Sequence, residues 1–381
     1  MEIREYLQNL HDEGNFREIP SGCNACITDY STNDYMGLGS DTELQAKFFA
    51  DPVAAKVPMT SSASRLLAPR QIEYTNLEVF LKLLYSRHRG TDTAALLFNS
   101  GYHANTGLIS AIASTTGTLV VADKLVHASI IDGIVLSRAP FQRFRHNDFN
   151  HLEQILQAKA DNYSTVLVVV ESVYSMDGDQ ADIEQLLAIK HRYPNVMLYV
   201  DEAHAFGVLG PKGLGLSAGC SAPAEIDVIV GTFGKAAASM GAFAIIGLDM
   251  RDFLVNTSRS FIFSTALPPM QMAWTRFTVG ALIQQDAKRE QLANLGRQLK
   301  GILEQYTTHP CLASHIQPLI VGDPKKAVEL SRRLLTRYGI KVLPIRRPTV
   351  PPGTERLRFS LSSAMTSANL ADLDTALREL M

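Results

Sequence analysis

Asp227-Val228-Ile229-Val230-Gly231-Thr232-Phe233-Gly234-Lys235 is the stretch that decides how this chain is read. An apolar, β-branched run stops at small and hydroxyl residues and ends in a lysine. Upstream, the apolar run Val196-Met197-Leu198-Tyr199-Val200 closes on Asp201 and, three residues later, His204. Short runs that are apolar along their whole length suit strands buried on both faces of a parallel sheet. Ligand sites in such sheets lie just beyond the carboxyl ends of the strands. Lys235 and Asp201 are therefore expected side by side at one sheet edge.

Outward from this pair the alternation is regular. The spacing of Leu77, Phe80, Leu81 and Leu84 predicts a helix over 72–87. Strands are expected at 94–98, 118–122, 165–170, 196–200, 228–232 and 242–246, with a helix over 104–113. Strands alternating with helices imply a mostly parallel α/β sheet. One long helical stretch is expected from Met270 to Tyr306. It is followed by a strand near 315–321, a helix near 325–338, and strands at 341–343 and 356–361. The expected division is an N-terminal segment at 1–45, a large α/β domain at 46–280 and a small α+β domain at 281–381.

The totals narrow the function classes. A chain of 381 residues is long for one core. Its net charge of −2 and near-zero mean hydropathy argue against a nucleic-acid binder or a membrane-surface protein. No apolar run approaches the ~18–20 residues that span a bilayer, and the charged N-terminus lacks a signal core. A soluble cytoplasmic protein is expected. Cys23-Asn24-Ala25-Cys26 has CxxC spacing. A structural zinc site wants a second such pair and none follows, so two inert thiols and no metal site are expected.

The residue types at the strand ends suit a phosphorylated pyridine aldehyde, pyridoxal phosphate. An amine that can condense with the aldehyde (Lys235) and an acid that can hold the pyridinium nitrogen (Asp201) are the pair it requires. Its phosphate wants free backbone amides at a helix N-terminus and hydroxyls; Ser100-Gly101-Tyr102 and Thr232 can supply them. His127, shortly after a strand end, can lie flat on the ring. His204, with Ser175, can reach the 3′-oxygen. Glu202 is expected to be structural, since its side chain diverges from that of Asp201. Arg356 and Arg358 share one face of a strand. One of them can hold a substrate carboxylate bidentately; a surface pair is the alternative.

These residues sit in motifs that resemble the α-oxoamine synthases, a branch of the fold type I pyridoxal phosphate enzymes. The similarity runs over nearly the whole length. Its markers include Asn33-Asp34-Tyr35-Met36-Gly37-Leu38, Ser64-Arg65-Leu66-Leu67, Asp123-Lys124-Leu125-Val126-His127-Ala128-Ser129 and His146-Asn147-Asp148. Further on stand Glu171-Ser172-Val173-Tyr174-Ser175-Met176-Asp177-Gly178-Asp179, Asp201-Glu202-Ala203-His204, Thr232-Phe233-Gly234-Lys235 and Phe263-Ser264-Thr265-Ala266-Leu267-Pro268-Pro269. The resemblance implies a fold type I transferase with a mostly parallel central sheet and a smaller α+β C-terminal domain. Lys235, His127 and Asp201 would be catalytic. The cofactor would be held by Lys235, Asp201, His204, His127, Ser175, Thr232, Gly101 and Tyr102, with Ser264 and Thr265 reaching it from a second subunit of an obligate homodimer. Arg358 would bind the amino-acid carboxylate. Asn33 and Tyr35 would line the acyl side, with Arg17 near the acyl chain.

Within the family, the runs 316–323 and 347–358 are similar to the member that serves biotin biosynthesis. Ser64 stands where glycine-restricted relatives carry a bulkier threonine, which leaves room for a methyl group. The implied reaction joins L-alanine to a pimeloyl thioester, on coenzyme A or acyl carrier protein, giving 8-amino-7-oxononanoate, carbon dioxide and free thiol. The rivals are glycine or serine with another acyl-CoA, as in 2-amino-3-ketobutyrate ligase or serine palmitoyltransferase, and a catalytically inactive regulatory subunit. Three positions depart from the family pattern: Ala236-Ala237-Ala238 replaces glycines, Ala68-Pro69-Arg70 replaces a Ser-Gly pair, and Met365 replaces a histidine.

Overall fold

The computed structural model describes residues 2–19, 27–68 and 71–381. Cys23, Cys26 and the step Pro69-Arg70 lie outside them. Twelve strands occur among the described residues: β1 (Thr28–Asp29), β2 (Ala94–Phe98), β3 (Thr118–Asp123), β4 (Phe141–Phe144), β5 (Thr165–Glu171), β6 (Val196–Asp201), β7 (Val228–Thr232), β8 (Ala242–Ile246), β9 (Ile316–Ile320), β10 (Ile340–Lys341), β11 (Leu343–Ile345) and β12 (Arg356–Ser360). The chain divides into two compact units. The larger comprises Met36–Tyr174 and Gln180–Asp286, the smaller Met1–Tyr35, Ser175–Asp179 and Ala287–Met381.

The larger unit is built on a seven-stranded sheet of order β2-β8-β7-β6-β5-β3-β4. Strands β4, β3, β5, β6 and β7 run parallel. Every residue of β2, β3, β7 and β8 is buried, as expected for strands covered on both faces. Leu96, Leu108, Ile134, Leu167 and Val230 belong to one continuous core. Strand β8 departs from the parallel pattern and is antiparallel to both β2 and β7. The link over 233–241 is too short for the dozen or more residues of a parallel crossover, so the chain must fold straight back. That short link carries Lys235.

The link is a tight turn. Ala238 N–H donates to the Lys235 carbonyl at 2.9 Å, Ser239 N–H to Phe233 at 2.9 Å and Phe233 N–H to Gly241 at 2.9 Å. Ala238 sits at φ +48°, in the left-handed region, where a Cβ costs about 1–2 kcal/mol. Glycine removes that strain but adds about 0.4–1 kcal/mol of unfolded-state freedom. Ala238→Gly is therefore expected to stabilise the protein by about 0.5–1 kcal/mol. A thermal unfolding midpoint higher by roughly 2 °C would show it; a lower midpoint would refute it.

The smaller unit contains the antiparallel sheet β11-β12-β9 and the parallel pair β1-β10. Residues expected to form a separate N-terminal segment join it here. Thr28 N–H donates to the Gly339 carbonyl at 2.9 Å, and Ser360 N–H to that of Tyr30 at 2.8 Å. Gly339 adopts φ +65° to end the helix Pro324–Tyr338, which Asp323 caps at its start.

Two expectations on element bounds are corrected. The single helix over 270–306 is two helices, Pro269–Leu282 and Asp286–Leu303. Gln284 and Gln285 N–H bond back three residues, to Ala281 and Leu282, so the last turn tightens and closes the first helix. The strand expected at 341–343 is split into β10 and β11 at Val342, which is buried while Leu343 is exposed.

Candidate active site

In the larger unit the chemistry-bearing residues gather at the carboxyl ends of β3, β5, β6 and β7. Asp201 ends β6 and is 4% exposed. Its Oδ2 accepts from Asn105 Nδ2 at 2.7 Å and its Oδ1 from Ala203 N–H at 2.8 Å. Tyr199 hydroxyl donates to Asn105 Oδ1 at 2.7 Å, so the amide has its oxygen toward the tyrosine and its nitrogen toward Asp201. The same Nδ2 reaches Ser129 Oγ at 3.0 Å, and Ser129 Oγ lies 2.8 Å from His127 Nδ1.

His127 precedes the helix Ala128–Ser137, and its Nδ1 accepts from Ser129 N–H at 3.2 Å. An accepting Nδ1 leaves the ring proton on Nε2. Burial lowers the imidazole pKa below its usual value; Asp201 opposes this, Lys235 adds to it, and Asp132 opposes it. The ring is therefore neutral near pH 7, a flat partner rather than a cation. Asp201 and Lys235 both act on the imidazole charge and so both lie near it. Lys235 Nζ lies 2.8 Å from His204 Nε2.

The helix Gly101–Ala113 starts at Ser100, whose Oγ accepts from His103 N–H at 3.2 Å. It begins earlier than the sequence spacing suggests, which puts the Gly101 and Tyr102 amides in the first turn, outside the helix's own bonding. A Cβ on Gly101 would lie 3.8 Å from Thr232 Cβ and 3.9 Å from its Oγ1. Two first-turn amides at a helix N-terminus thus converge beside the Thr232 hydroxyl, which donates to the Gly241 carbonyl at 3.1 Å; the amides are the donors a phosphate dianion takes. A group with a phosphate at one end and a pyridine nitrogen at the other fits these residues. Ser64 pairs with Thr265 in a single antiparallel bridge, and Asn99 Nδ2 donates to the Thr265 carbonyl at 2.8 Å. In a single chain, then, Thr265 lies beside residues of its own unit.

Glu202 faces away from Asp201, as expected. Its carboxylate accepts from Ser172 Oγ at 2.5 Å, Ser217 N–H at 2.6 Å and Leu216 N–H at 3.1 Å. This ties the loop after β6 to the end of β5.

The smaller unit holds Arg358, Asn33, Tyr35, Ser175 and Arg17. Arg358 is 3% exposed. Its Nε donates to the Ser175 carbonyl at 2.5 Å and its Nη1 to Ser360 Oγ at 2.8 Å. The two Nη atoms lie 3.4 and 3.3 Å from Asn33 Oδ1, and Tyr35 hydroxyl donates to the same oxygen at 2.9 Å. Among the described residues every hydrogen-bond partner of Arg358 is neutral. Arg356, by contrast, is ion-paired with Asp177. The two arginines that the strand period left equivalent are thereby separated: one is internally neutralised, the other is a buried cation ready for an anion. Tyr35 is fully buried, and that burial raises its hydroxyl pKa to about 12 despite Arg358, so it stays a neutral donor. Arg17 is exposed and donates to the Arg347 carbonyl at 3.1 Å.

Asn105, Ser129 and Glu171 were not singled out by sequence reading. Ser129 lies two residues from His127 and was within reach of a local argument. Asn105 carries no such signal, because its partners are distant in the chain.

The profile of the aminotransferase class I and II family matches residues 33–377. The chain is 45% identical to a putative 8-amino-7-oxononanoate synthase of Glaesserella parasuis, over 98% of this chain and 99% of the relative. It is 45% identical to an 8-amino-7-oxononanoate synthase of Haemophilus ducreyi, over 92% and 90%. Among solved structures, it resembles serine palmitoyltransferase of S. paucimobilis with a bound PLP–myriocin aldimine, with a TM-score of 0.87 and 28% identity over 99% of this chain and 97% of that one. It also resembles 8-amino-7-oxononanoate synthase of Francisella tularensis, with a TM-score of 0.72 and 26% identity over 93% and 98%.

Proposed function

The chain belongs to the aminotransferase class I and II family, in its α-oxoamine synthase branch, and is a pyridoxal phosphate enzyme of fold type I; from this premise we propose that it condenses L-alanine with a pimeloyl thioester. The products are 8-amino-7-oxononanoate, carbon dioxide and the free thiol, and the place of the reaction is biotin biosynthesis. Identity of 45% to relatives carrying that name supports this reading above the alternatives.

When bound, the cofactor draws electrons from the α-carbon of the amino acid, so that this carbon can lose a proton and bond to an acyl carbon. Lys235 Nζ would be the amine that holds the cofactor's aldehyde carbon. The freed amine then takes the α-proton as general base. Asp201, fixed by Asn105 and Ala203, holds the ring nitrogen protonated. His127 would lie against the ring face, and His204 and Ser175 would serve the 3′-oxygen. The amides of Gly101 and Tyr102 and the Thr232 hydroxyl hold the phosphate. Arg358 takes the alanine carboxylate, Ser64 leaves room for its methyl group, and Asn33, Tyr35 and Arg17 line the acyl side. Ser264 and Thr265 serve the site of the second subunit in a homodimer.

The observation that carries the substrate assignment is Arg358, a buried guanidinium whose hydrogen-bond partners among the described residues are neutral. Arg358→Lys keeps the charge but loses the planar fork. It is expected to raise the KM for alanine by roughly 10–100-fold, as befits a lost charged hydrogen bond, with a smaller change in the KM for the thioester. An unchanged alanine KM would remove the arginine from the site. The proposal as a whole is tested by mass analysis of products from alanine, glycine and serine, each with pimeloyl and palmitoyl thioesters. A palmitoyl product from serine would favour the serine palmitoyltransferase reading, and no product with a colourless protein would favour an inactive subunit.

A further inference from the structure

Glu171 ends β5 and pairs in register with Asp201 at the end of β6. Partners in register on neighbouring strands project to the same face of a sheet, so two carboxyl groups stand together there, Glu171 only 2% exposed. Their surroundings differ. Asp201 has two N–H donors aimed at it, from Asn105 and Ala203. The His127 backbone amide lies close enough to Glu171 to favour its charged form, and Glu171 Oε1 is buried with no hydrogen-bond partner among the described residues. Glu202, buried nearby, has donors on both oxygens and shows what an accommodated carboxylate looks like in this chain.

A buried oxygen without a donor is costly when it carries charge, and two adjacent buried carboxyl groups do not both ionise. We propose that Glu171 is a positioning residue: as a neutral carboxylic acid beside Asp201 it anchors the backbone of His127. The charged and titratable groups facing it are Asp201 on β6, Lys235 after β7, His127 before the helix Ala128–Ser137, and Asp123 at the end of β3. Burial first, then Asp201, raises the Glu171 pKa well above the usual glutamate value; Lys235 and the His127 amide oppose this. The inference rests on the reading that Lys235 and Asp201 hold pyridoxal phosphate, but not on which amino acid or thioester is used.

The test uses the full chain loaded with pyridoxal phosphate, and the variants Glu171→Gln and Glu171→Leu. Glutamine keeps the shape and the neutral acceptor. Its visible absorption, the pH midpoint of that absorption and its cofactor dissociation constant should match the wild type. If Glu171 were ionised, its removal would take a negative charge from the neighbourhood of Lys235 and shift the midpoint by about one unit or more, which overturns the proposal. Leucine removes the acceptor for His127 N–H and should weaken cofactor binding by about fivefold or more; affinity equal to wild type overturns the anchoring role.

An infrared difference between wild type and Glu171→Gln at pH 7 should show a protonated carboxyl stretch. Carboxylate bands in its place would refute neutrality even if the leucine variant fails to fold. The sign of the pH effect on stability follows. The folded chain keeps this proton where the unfolded chain releases it. Stability is therefore full below the ordinary glutamate value and is lost as pH rises toward the raised one, so wild type should lose thermal stability relative to Glu171→Gln on going from acid to neutral pH. A wild-type protein that never develops the lysine-linked colour would instead count against the cofactor reading itself.

Discussion

Lys235→Ala protein should be inactive, with turnover lower by on the order of 10²–10⁴-fold and toward the upper end of that range. Two functions leave with one amine. In the proposed reaction Nζ links to the cofactor's aldehyde and takes the α-proton. The lysine-linked visible absorption should also vanish, while pyridoxal phosphate can still bind through its phosphate and ring nitrogen. The fold should survive, because Lys235 is only partly buried and its Nζ reaches His204 as a side-chain contact at 2.8 Å. Retained turnover, or retained colour in a borohydride-reduced and digested sample at any peptide other than the one holding residue 235, would remove this lysine from its role.

Asp201→Ala is expected to have the second largest effect. Without a carboxylate opposite the ring nitrogen, that nitrogen loses its proton and draws electrons less well. Losses of about 10²–10³-fold are typical when one electrostatic partner of a reacting system is removed. Stability should fall as well. Asn105 Nδ2 and Ala203 N–H now donate to Asp201, and a donor left buried without its acceptor costs about 1–3 kcal/mol. Asp201→Asn fills the same volume but offers one acceptor oxygen where two N–H donors converge, so it should recover only part of the lost stability while leaving activity low. Full activity in Asp201→Asn would show that a carboxylate is not needed there.

How much of this was legible beforehand differs from element to element. Strands β5, β6 and β7 could be placed to within a residue because each is a buried, uninterrupted apolar run. The residues that end or follow those runs, Thr232, Lys235, Asp201 and His204, are brought together at the carboxyl edge of the sheet. The helix starts at Gly101, three residues ahead of Ala104, where the buried apolar spacing that marks it in the sequence begins. The antiparallel course of β8 was not foreseen, although the short link 233–241 contained the reason for it. The stretch 270–306 kept its helical spacing through a break made by backbone bonds rather than by glycine or proline.

The sequence by itself determined an alternating α/β chain whose strand ends carry a lysine, a carboxylate, two histidines and a phosphate-ready glycine, because side-chain chemistry and hydrophobic period are local properties. Only the tertiary structure decided how those groups are tuned. Asn105 reaches Asp201 across a separation of 96 residues, and Tyr199 reaches Asn105 across 94. Asp177 claims Arg356 across 179 and leaves Arg358 with neutral partners. The register of β5 on β6 sets Glu171 against Asp201. Contacts of this kind depend on which strands become neighbours, and that is set by burial of the whole sheet rather than by any spacing along the chain.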